Sequence, residues 1–205
     1  MLVIAMETGS LPGGRVRWAG RRHDDDRPDA SSGVSPAELF DAVFHALHDG
    51  EQVALGLDCA LTMPVAPDQD PASAPAGASA DALVTLAEPA GNRPGLAELG
   101  YLLDELGTWR PWTTVSTSLA RWKANTSILV WQAVPAPGAG AVTASAATDS
   151  FFHQLPAASA QGTEPADEAN GTLVNLAAAA ARRAGLFVDP AELALPTVAI
   201  TVTAG

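Results

Sequence analysis

Apolar positions recur in two rhythms along this chain. Leu2–Met6 is an unbroken apolar run closed by Glu7, and Val53–Leu57 is a second one closed by Asp58. Runs of this length bounded by turn signals predict buried strands. Between them Leu39, Phe40, Val43, Phe44 and Leu47 recur at helical spacing. Ser35 stands at the N-cap of that helix, Pro36 at its first position, Glu38 at the capping-box position and Gly50 at its end. Leu96, Leu99, Leu102, Leu103 and Leu106 predict a second helix over 96–106, with Gly107 and Pro111 bracketing its exit. Ser127–Val134 predicts another strand. Thr172–Ala184 predicts a helix closing on Arg182, Arg183 and Gly185, and Thr197–Thr203 a last strand.

The connections complete the outline. Thr8–Gly14 is rich in glycine and proline, and the alternating Arg15–Gly20 follows it, so the first strand opens a β-hairpin. His23–Ser32 is polar and irregular. The second acid-bearing strand is expected to run from Gln52 to Met63 and stop at Pro64. Pro/Ala-rich loops are expected at about 65–81 and 135–147, and Asp149 as the cap of a short helix reaching Leu155. A hairpin followed by alternating helices and strands predicts an α/β fold, a mixed sheet with helices on both faces, as a single domain over 1–205.

Composition narrows the function classes. With 205 residues and 47% of them apolar, the chain can bury a sizeable core. It has no apolar segment of membrane-spanning length, and its N-terminus lacks the basic start of a secretory signal, so a cytoplasmic location is expected. The net charge of −12 disfavours a nucleic-acid partner; a protein partner is compatible with it. The basic cluster Arg15, Arg17, Arg21 and Arg22 is followed at once by Asp24–Asp26. The single cysteine, Cys59, excludes an intrachain disulfide and reads as a buried small hydrophobe.

An acid at the end of an apolar strand is costly to bury alone and needs a cation, a donor or a wet cleft. Glu7 and Asp58 occupy that position twice, so they could converge at one sheet edge and hold a divalent ion; the alternative is that arginine or backbone amides satisfy them. Around them, Val3-Ile4-Ala5-Met6-Glu7-Thr8-Gly9 with Gly13-Gly14 resembles a "hydrophobic run, Asp, Gly-rich turn, strand" opening. Ala54–Pro64 resembles an "Ile-Asp-Ala-Pro-Leu-Gly-Leu-Pro" motif, and Ile128–Ala133 a "Leu-Val-Trp-Glu-Ala" segment. These segments are similar to an uncharacterised, actinobacterial-type family of predicted nucleases with a ribonuclease H-like fold. The resemblance implies Mg²⁺ or Mn²⁺ held by Glu7, Asp58 and Asp149, with the metal activating water for phosphodiester cleavage. Glu7 stands where the pattern has Asp, and Gln132 where it has Glu, so the implied site is degenerate. The alternative is a catalytically inactive homologue acting as a protein-binding or assembly module.

Other constellations read structurally. Thr8-Gly9-Ser10 with Gly13-Gly14 is a hairpin turn before it is a phosphate cradle. His23, His45, His48 and His153 complete no metal motif, and no nucleophile elbow or thiol–histidine pair is present. Trp109, Trp112, Trp122 and Trp131 are read as packing residues rather than as a base-stacking platform.

Overall fold

The computed structural model describes residues 1–7, 16–22, 31–65, 95–125, 127–158 and 172–203. Its centre is a seven-stranded mixed sheet. The N-terminal part is antiparallel: β1 (Leu2–Glu7) pairs with β2 (Arg17–Arg22), and β2 with β3 (Ser31–Gly33). On the other side of β1 the strands are parallel. β4 (Val53–Leu57) pairs with β1, and β7 (Ile128–Pro135) pairs with β4. The outer edge of β7 is shared. β6 (Val115–Ser116) covers Ile128 and Leu129, and β9 (Ala199–Val202) covers Gln132–Pro135. A separate two-stranded antiparallel sheet joins β5 (Thr62–Val65) to β8 (Thr172–Asn175).

Strand alternation divides the core between two faces. Leu2, Ile4, Met6, Val53, Leu55, Leu57, Ile128 and Val130 point to one side. There they meet α1 (Pro36–His48), α2 (Leu96–Trp109) and α5 (Leu176–Arg183). Val3, Ala5, Ala54, Leu129, Trp131 and Ala133 point to the other side, toward α3 (Leu119–Asn125) and α4 (Ala144–Ala158). Each face of the sheet thus packs on helices, as the element pattern predicts.

Small residues make the layers fit. Trp131 pairs directly with Gly56 across the β4–β7 ladder. A Cβ built on Gly56 would overlap the Trp131 ring, so the indole occupies the space that a side chain at this position would fill. Phe151 of α4 closes the other side of that ring at a 5.0 Å centroid separation, and Trp122 meets Phe151 edge-on at 6.4 Å. Gly107 allows α2 to approach the Ala184 carbonyl at the end of α5 in the same way.

Several predicted boundaries are corrected. The strand expected over 52–63 divides into β4 and β5, which join different sheets, because the chain turns away at Asp58–Ala60. Pro64 lies inside β5 rather than stopping it, since among the described residues β5 pairs on one side only, with β8, and proline is tolerated on an edge strand. The helix expected over 172–184 begins only at Leu176. Thr172–Asn175 is extended, and the Asn175 side chain accepts from the Ala178 N–H at 3.0 Å, which fixes the start. Asp149 caps nothing. α4 starts five residues earlier, where Thr143 Oγ1 accepts from the Ala146 N–H at 3.3 Å, and the alanines of a predicted loop form its first turn. β3, β6 and α3 carry no signal that the sequence reading used. The first predicted loop lies outside the described residues apart from Val65, as do the glycine-rich turn, His23 and Asp24–Asp26.

Gly56→Ala is expected to lower the unfolding free energy by about 1–3 kcal/mol, the cost of forcing atoms into a packed core. Urea denaturation monitored by tryptophan fluorescence measures it. An unchanged midpoint would mean that the Trp131 ring is not fixed over Gly56.

Candidate functional site

The parallel strands β1, β4 and β7 end together, and three polar side chains mark that edge. The β1–β4 ladder closes at Met6–Leu57, so Glu7 and Asp58 are the next residues of two neighbouring strands. Leu57 is in turn opposite Gln132. By alternation Glu7 belongs to the side of Val3 and Ala5, the side facing α4, whereas Gln132 belongs to the side of Ile128 and Val130. The register therefore leaves the two acids that the sequence pointed to at the same edge of the sheet, with Gln132 on the opposite face.

Glu7 and Gln132 on this edge have structural work. Glu7 Oε1 accepts from the Ala144 N–H at 3.0 Å, at the first turn of α4, where a negative charge also meets the positive end of the helix dipole. Its Oε2 lies 3.9 Å from Arg17 Nη1 of the paired strand β2. Gln132 Oε1 accepts from the Leu61 N–H at 3.2 Å and so ties the segment after β4 back to the sheet. Asp58 is half-buried, and Cys59 beside it packs against the core while remaining partly exposed.

Asp149 is elsewhere. It forms a 3.1 Å ion pair with Arg21, and Arg21 is opposite Val3 in the β1–β2 register, whereas Arg17 is opposite Glu7. Four residues of strand correspond to about 13 Å, so Asp149 lies well down the sheet from the edge that carries Glu7. Arg22 is likewise taken by Glu51, at 3.0 Å. Three arginines of the basic cluster thus each answer one acid: Glu7, Asp149 and Glu51. Among the described residues, no group of three or more His, Cys, Asp or Glu side chains is placed to hold a metal ion.

The tryptophans divide. Trp122 and Trp131 are core residues, as expected, while Trp109 and Trp112 are largely exposed. His45, His48 and His153 lie on exposed positions.

One buried carboxylate was not singled out from the sequence. Glu192 sits in a short 3₁₀ turn (Pro190–Ala194) with 1% of its surface exposed. Ser116 Oγ donates to its Oε1 at 2.6 Å, and both the N–H and the Oγ1 of Thr117 donate to its Oε2. Thr117 Oγ1 in turn accepts from Asn175 Nδ2 at 2.8 Å, and Asn175 Oδ1 accepts from Thr197 Oγ1 at 3.1 Å. Asp189-Pro190-Ala191-Glu192 has the form of an exposed first helical turn, with Asp189 capping Ala191, so its local signal points to solvent. Only the run Ser116-Thr117-Ser118, three hydroxyls beside an apolar strand, hints at a buried acceptor.

Compared with protein-family models, curated proteins and solved structures, the chain matches none. No helix among the described residues is long and apolar enough to cross a membrane.

Two substitution series separate these acids. Glu192→Gln places an amide against converging donors and is expected to cost about 1–3 kcal/mol, with Glu192→Ala at the upper end of that range or above. Glu7→Gln retains the acceptor for Ala144 and is expected to cost less than about 1 kcal/mol; Glu7→Ala removes the cap and should cost about 1 kcal/mol or more. Chemical denaturation of the four variants reads the order directly, and a neutral Glu192→Gln would overturn the assignment of its three donors.

Proposed function

We propose that this chain is a ribonuclease H-like domain whose strand-end carboxylates have become structural, and that it acts as a protein-binding or assembly module. The antiparallel β3–β2–β1 unit continuing into parallel β4 and β7, with helices packed on both faces, supports the fold reading. The observation that carries the functional reading is the engagement of Glu7. One oxygen accepts from the first turn of α4 and the other faces Arg17, an arrangement that needs no metal to offset its charge. Gln132, which offers a neutral amide oxygen, is committed to the Leu61 amide. Asp149, the third member of the implied ligand set, is paired with Arg21 down the sheet. Glu7, Asp58 and Asp149 therefore do not fit a Mg²⁺ or Mn²⁺ site built from all three.

A second reading is favoured by the adjacency of Glu7 and Asp58 at one edge. Two carboxylates on neighbouring strand ends could hold a divalent ion and leave a weakened phosphodiesterase. This reading requires Glu7 to exchange the Ala144 amide and Arg17 for a metal.

Calorimetric titration of Mn²⁺ into the wild type and Asp58→Asn distinguishes the two. The binding-module reading expects no specific heat from either protein. Stoichiometric binding that Asp58→Asn abolishes would overturn it and favour the metal-dependent phosphodiesterase.

A further inference from the structure

We draw no further inference here: the strongest candidate, the exposed rings of Trp109, Trp112 and Phe187 around the N-terminal edge of the parallel strands, carries nothing, because nothing among the described residues joins them into one surface or shows what would cover them.

Discussion

A carboxylate removed from water must find its donors inside the protein, and the outer edge of this sheet is organised around that requirement at Glu192. β7 is eight residues long, but neither β6 nor β9 is long enough to cover it. β6 ends opposite Leu129 and β9 begins opposite Gln132. Beyond Ser116 the chain leaves the ladder, and the hydroxyls of Ser116 and Thr117 and the Thr117 amide need acceptors. Glu192 supplies them to Ser116 and Thr117, while Thr117 O accepts from the Val198 N–H at 2.9 Å, just before β9 starts. Asn175 joins the same network and also fixes the start of α5. One buried acid thus couples two edge strands, a helix cap and the small β5–β8 sheet.

The contrast with Glu7 shows how burial sorts acids by role. Glu192 is enclosed and takes three neutral donors, so its removal leaves several polar groups unsatisfied at once. Glu7 is one-fifth exposed and relies on a single backbone amide and a distant arginine, with water able to complete its coordination. Asp149, about half exposed, gains little from Arg21 beyond a screened surface attraction. The three carboxylates therefore contribute to stability in the order of their enclosure, a difference that their letters in the sequence do not carry.

That difference also explains what could be read in the sequence. β1, α1 and most of β7 were legible because period and burial agree: each carries one unbroken pattern that a single face of the fold satisfies. The level ends of β1 and β4 follow the same logic, since equal apolar runs in adjacent parallel strands stop together, and Glu7 and Asp58 come directly after their last shared pair, Met6 and Leu57. β3, with Ser31, Ser32 and Gly33, had no pattern to read; it is a short edge strand whose pairing with β2 comes from the sheet. Thr172–Asn175 was assigned to a helix because the alanines after it dominate the window, while the strand depends on β5, a partner more than a hundred residues away. Asp149 was misplaced for a local reason. A helix cap and a mid-helix ion pair use the same residue, and only Thr143 and the first turn of α4 decide between them.

The two ends of the sheet divide the molecule by chemistry as well as by direction. At the C-terminal edge, Glu7 and Gln132 are drawn to amides and Arg17, which ties that edge to α4 and to the segment after β4. At the N-terminal edge the polarity is reversed. The cation of Arg110 is retained by rings instead of by a counter-ion, and aromatic area remains in solvent. The part of Trp109 and Trp112 left in solvent gives the isolated fold no burial energy, because the hydrophobic term is gained only when surface leaves water. A core that fits the Trp131 ring against a bare glycine while leaving Trp109 and Trp112 outside has placed its aromatics by two different rules. Packing against Gly56 and Phe151 accounts for the first, whereas the exposure of Trp109 and Trp112 is not a product of core packing.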